Sequence, residues 1–171
     1  MQFSQGQRQL AIQAMDEAEE RTARYYCIPP HRWQEMRYDL LTCQDREWEP
    51  FPDAVLARVQ FLQRLVRSKG GLHAFYRIQL NDPGILTAAL RENLDSNIYP
   101  FLVYIITHEM VHLVRLSTIL EHPAALASLD ESEERRVEHI SHQILTGSPG
   151  IHSIIEKFGR TQPQFLKPTR L

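Results

Sequence analysis

The sequence predicts a mainly α domain of α+β class, several helices with a minimal sheet. Three observations carry that prediction. Only 7 glycines occur in 171 residues, while Leu, Ala, Glu, Arg and Gln are abundant, a balance that favours helix. Apolar residues recur at helical spacing through most of the chain. Only one segment, His73 to Leu80, alternates convincingly at the period of a strand. A hydrophobic share of 43% is enough to bury a core, and the length suits one domain.

Taken in order, residues 7–25 read as a helix with Leu10, Ala11, Ala14, Met15 and Ala18 on one stripe. Three of those five are alanines, so the stripe is shallow and its packing partner should lie close. Cys27-Ile28-Pro29-Pro30 breaks this helix. Residues 31–52 are less periodic and read as loop, with a short helix near Met36 to Leu41. Asp53 is placed to cap a helix to about Ser68 carrying Val55, Leu56, Val59, Leu62 and Leu65, ended by Gly70-Gly71. The basic residues of Arg58 to Lys69 then form its solvated face.

The strand His73 to Leu80 closes at the turn signal Asn81-Asp82-Pro83-Gly84. A helix from Ile85 to Leu94 follows, and Asp95-Ser96-Asn97 separates it from a long one. Pro100 suits the first turn of that long helix, which should run to Leu120 and stop at His122-Pro123. Asp130 can cap a further helix to Leu145, ended by Gly147-Ser148-Pro149-Gly150. A short helix at Ile151 to Phe158 precedes a Pro-containing tail. The expected division is 1–52, an N-terminal helix and irregular segment packed on the core, then 53–160 as the metal-binding domain and 161–171 as tail.

A formal charge of −2 provides no field to recruit nucleic acid or an anionic membrane, so neither is expected as a partner. The N-terminus shows no secretory signal, and Cys27 and Cys43 lie 16 positions apart with no CxxC pairing. Reduced thiols and a cytoplasmic location are the expectation.

His108-Glu109-Met110-Val111-His112 carries the chemistry. Residues four apart on a helix share a face, about 40° round from each other, so both imidazoles can reach one zinc ion. Glu109 points about 100° away from His108, where it can take a proton from a water on the metal. The motif lies in a strongly apolar helix, where unpaired imidazoles and a carboxylate would cost free energy without a partner.

This HExxH segment resembles the zincin superfamily, whose motif helix binds catalytic zinc and whose Glu is the general base. The resemblance covers the motif, the strand before it and one helix after it. It implies a small zincin-like domain with one Zn2+ per chain and a peptide or protein substrate. It also implies that His73 to Leu80 is an edge strand on which an extended peptide could pair. The extended metzincin motif is absent, since Arg115 and Thr118 stand where Gly and His would be needed. The gluzincin pattern instead takes a Glu from a later helix.

The run from Asp130 to Leu145 is where that ligand is sought. On its helical wheel Val137, Ile140, Ser141, Ile144 and Leu145 form the inward stripe. Glu133 and Glu134 flank it, Glu138 lies at its edge and His139 points nearly opposite. Glu134 is the first candidate ligand and Glu138 the second, with His139 and His142 remaining. Glu134 and Glu138 resemble the gluzincin ExxxD arrangement. His142 and Tyr104 are candidates for a proton donor or a hydrogen bond to a substrate carbonyl. Arg115 is expected to pair with an acid of the later helix. Two other functions fit the same motif: a zincin fold kept as a non-catalytic binding scaffold, and a helical-bundle iron-carboxylate protein using Glu109 and His112 as a half-site.

Overall fold

A computed structural model describes residues 1–50, 52, 55–66, 71–121, 131–148, 150–158 and 169–170. The protein is mainly helical with a small sheet. Its elements are α1 (Gln5–Tyr25), α2 (Pro30–Glu35), β1 (Arg37–Leu41), β2 (Ala57–Val66), β3 (Gly71–Leu80) and α3 (Asp82–Arg91). There follow a 3₁₀ turn (Asp95–Asn97), α4 (Tyr99–Glu121), α5 (Glu131–Leu145), α6 (Ile151–Phe158) and β4 (Thr169–Arg170).

α1 opens with a capping box. The Ser4 hydroxyl accepts from the Gln7 amide at 3.2 Å while the Gln7 side chain accepts from the Ser4 amide at 2.9 Å. Its buried residues are Ala11, Ala14, Ala18 and Thr22, and the helix lies along α4. Small side chains let the two backbones approach closely, as the shallow stripe implied. The helix ends where Cys27 takes a positive φ of 52°. Pro30 then stands at the start of α2, where its missing N–H costs nothing.

Two expected helices are strands. Residues 57–66 form β2, not the helix expected over 53–68, and Asp53 lies outside the described residues. Val59 and Leu62 fit the helical period, but Ala57, Val59 and Phe61 turn inward together while Arg58 and Gln60 take the other face. Arg58 is accordingly not on a solvated helix face: it is buried, and its Nε donates to Gln79 Oε1 at 2.7 Å. Residues 37–41, expected as a short helix, form β1.

The sheet order is β1-β3-β2-β4. β3 pairs with β2 antiparallel, Phe61 opposite Tyr76, and with β1 parallel, Asp39 opposite Arg77. The strand expected at an edge is therefore central, with both of its sides taken. On one sheet face Tyr76, Ile78 and Leu80 join Ala57, Val59 and Phe61 in the core. On the other, Arg77 grips Asp39 through two hydrogen bonds of 3.1 Å each.

The turn signal Asn81-Asp82-Pro83-Gly84 ends β3 and is itself the start of α3, three residues before the expected Ile85. The Asn81 side chain accepts from the Gly84 amide at 3.3 Å and caps α3. Buried Asp82 accepts from the amides of Phe3 at 3.0 Å and Cys43 at 3.3 Å, tying the N-terminus and the segment after β1 to this corner. Cys27 and Cys43 are free thiols.

α4 is the central element, packed by α1, α5, α6 and the sheet, with Pro100 in its first turn. The stop expected at His122-Pro123 and the cap expected at Asp130 lie outside the described residues. Gly147 and Gly150, at φ 82° and 77°, take left-handed conformations between α5 and α6, which an L side chain would strain. Among the described residues no helix is long and apolar enough to cross a membrane.

The close α1–α4 contact gives a direct test. Ala14→Leu should cost about 1–3 kcal/mol by overpacking a site with no room, whereas Ile12→Ala, on the exposed side of α1, should stay within about 0.5 kcal/mol. Urea denaturation of both variants measures the difference.

Candidate metal centre

α4 is buried on every side from residue 101 to 114, so the motif lies in the core. His108, Glu109 and His112 are almost wholly inaccessible. The helix sets the two imidazoles on one face, with ring centroids 4.9 Å apart. α5 crosses that face and delivers Glu134 from its first turn. Nε2 of His108 lies 2.9 Å from Oε1 of Glu134, and Nε2 of His112 lies 3.2 Å from Oε2. The second contact is close but lacks hydrogen-bond geometry.

One donor atom from each of the three residues falls within a group no more than 4.8 Å across. Tetrahedral zinc ligands at about 2.0–2.1 Å stand about 3.3 Å from one another, close to the 2.9 and 3.2 Å that separate Glu134 from the two histidines. Two imidazoles and one carboxylate, held on a buried helix face, are a borderline donor set suited to zinc.

The electrostatics favour the deprotonated ligands. Burial lowers His108 to about 4, opposed by its contact with Glu134. Burial pushes Glu134 up, but its close contacts with both histidines outweigh it and bring the carboxyl to about 2. Glu109 behaves oppositely. Burial, and then the charge of Glu134, push it well above the ordinary carboxylate range. Neither of its oxygens has a hydrogen-bond partner among the described residues. A buried carboxyl with no partner is costly, and a cation or water at the group would relieve that cost.

Of the other residues singled out in the sequence, Glu138 is half-buried and lies outside the three-residue group. Burial and the charge of Glu134 raise its carboxyl. His139 is exposed. His142 stacks near Tyr104, ring centroids 6.1 Å apart at 29°. Burial lowers the His142 imidazole and raises the Tyr104 phenol. The Tyr104 hydroxyl, His142 Nε2 and Glu138 Oε1 all lack hydrogen-bond partners among the described residues. Thr107, which the sequence reading passed over, is buried with its hydroxyl equally unpartnered. Its signal was a hydroxyl inside an apolar run, and Thr118 shows the usual outcome by donating to the Val114 carbonyl.

Arg115 pairs with Glu133, one residue before Glu134, through both guanidinium and carboxylate edges. A groove of about 420 Å³ bordered by Met36, Tyr76, Val114 and Ser117 opens on a different face of α4 and includes none of the three ligating residues. The chain matches no protein-family model, no curated protein and no solved structure.

His108 makes the metal-free protein sensitive to acid. Its folded pKa of about 4 lies below the ordinary 6.5, so between those values the unfolded chain binds a proton that the folded one refuses. The His108 contribution should be full above pH 6.5 and fall by about 3 kcal/mol as pH drops toward 4, while Glu109, whose raised carboxyl takes up a proton on folding, contributes in the opposite sense. The stability difference between chelator-treated wild type and His108→Asn, measured by urea denaturation across that window, isolates the His108 contribution and should fall by that amount.

Proposed function

We propose that this chain is a zinc-dependent hydrolase of metallopeptidase type, similar to gluzincins in its ligand set. The observation that carries this reading is the convergence of His108, His112 and Glu134 beside the buried, unpartnered carboxyl of Glu109. His108, His112 and Glu134 hold the ion. Zinc, when bound, supplies Lewis acidity that brings the pKa of a water toward ~7, and a positive field that favours ionised Glu109.

Glu109 lies off the ligand face by about 100° of helix rotation, so it is free to accept a proton at its carboxylate rather than coordinate. His142 Nε2 and the Tyr104 hydroxyl supply polar atoms without hydrogen-bond partners among the described residues, suited to donate to a carbonyl oxygen or a departing amine. Glu138, one turn beyond Glu134, stays outside the ligand set and shares this polar wall. A peptide or protein is the proposed substrate class, and the compartment proposed is the cytoplasm. Among the described residues the one group able to hold a metal is His-His-Glu, which supports a single zinc over a carboxylate-rich iron pair.

Metal analysis tests the assignment. Purified protein should carry one zinc per chain, Glu134→Ala should lose it, and Glu138→Ala should keep it. Two irons in wild type, or no metal, would overturn the proposal. Glu109→Gln should retain zinc while turnover of a peptide library falls by at least ~100-fold. Unchanged function in that variant would instead support a non-catalytic scaffold.

A further inference from the structure

Glu134 is the ligand that helix geometry fixes least. His108 and His112 sit in the middle of α4, where every neighbouring turn is hydrogen-bonded and packed. Glu134 sits in the first turn of α5, and a helix's first turn has amide groups without intrahelical partners and frays readily. Something must hold that turn against α4. Arg115 follows His112 by three residues on the same α4 face, and its guanidinium binds both carboxylate oxygens of Glu133. Glu133 is 7% exposed and Arg115 21%, so this fork is largely sheltered from solvent. Arg136 is a weaker alternative: it is 60% exposed and approaches Glu133 only to 3.8 Å.

We infer that Arg115 is a positioning residue for the metal centre, acting through Glu133 to hold the first turn of α5 so that Glu134 meets His108 and His112. The inference rests on the zinc reading above. One α4 face thus carries two ligands and the cation that sets the third. The planar fork matters, because two parallel hydrogen bonds fix the rotation of the α5 turn as well as its distance.

Charge alone makes the opposite prediction. Removing a cation close to a divalent ion should tighten metal binding, whereas loss of positioning should weaken it. Zinc affinity is therefore measured by chelator competition on the full chain for wild type, Arg115→Met, Arg115→Lys and Glu133→Gln, and for the Arg115→Met/Glu133→Gln pair. Positioning predicts that Arg115→Met binds zinc about 10–100-fold more weakly, that Arg115→Lys recovers only part of that loss, and that the double variant is no worse than the poorer single one.

Amide hydrogen exchange at the start of α5 without metal is the second readout. The reporting amides are those of residues 135–138, which donate to the first-turn carbonyls; their exchange should rise in Arg115→Met while the later turns of α5 stay protected, which also shows that the variant folds. Unchanged or tighter zinc binding in Arg115→Met, complete rescue by Arg115→Lys, or unchanged exchange would overturn the inference and leave the zinc centre standing. Absence of zinc from wild type would overturn both.

Discussion

The structure depends on the desolvation of α4. No residue from 101 to 114 reaches solvent, yet this stretch contains Thr107, His108, Glu109 and His112. A charged or polar group in such surroundings must be neutralised, paired or bound, because water cannot compensate it. The helix resolves this unequally. His108 is driven toward its neutral form and meets Glu134, while Glu109 is driven toward protonation. The same burial that makes the core cohesive thus prepares a neutral imidazole at His108 and leaves one carboxyl whose ionisation needs a nearby positive charge.

The helices were largely legible in the sequence because their determinants are local. Residues 7–25, 85–94, 100–120, 130–145 and 151–158 carried period and punctuation, and α1, α3, α4, α5 and α6 lie there within a few residues. The strands were less legible because theirs are not. Val59, Leu62 and Leu65 fit a helical stripe as well as Val59 and Phe61 fit an alternating one, and nothing within residues 53–68 chooses. The choice comes from β3, whose Tyr76 lies opposite Phe61 and whose Gln79 takes the Arg58 side chain. β1 is five residues long and exists by pairing with β3, some 38 positions later. Strand stability of that kind resides in neighbours rather than in the segment itself.

The site divides along the same line. His108 and His112 could be placed together from spacing alone, since one helix fixes both. The third member depends on how two helices 26 positions apart are phased. Val137, Ser141, Ile144 and Leu145 are buried and set the phase of α5, which brings Glu133 and Glu134 together onto α4 and leaves His139 exposed. The sequence puts Glu134 first and Glu138 second as the third ligand and gives Glu133 no role. The contacts give it one: Arg115 meets Glu133, His108 and His112 meet Glu134, and Tyr104 meets His142. Positions rise along α5 as they fall along α4, so the two helices run antiparallel and each polar residue finds its counterpart in order.

Hydrogen bonding around the site is uneven. Toward the C-terminus of α4, Arg115 and Glu133 pair with each other. Tyr104, Thr107, Glu109, Glu138 and His142 each present at least one buried polar atom with no hydrogen-bond partner among the described residues. Unsatisfied groups are expensive singly, and several close to one ligand group are more expensive still. The proposed reaction would use both features: a paired wall that keeps the ligands in place, and donors and acceptors completed by water and substrate. The uneven satisfaction of polar groups around His108, His112 and Glu134 is why the catalytic reading is proposed ahead of simple bracing at this centre.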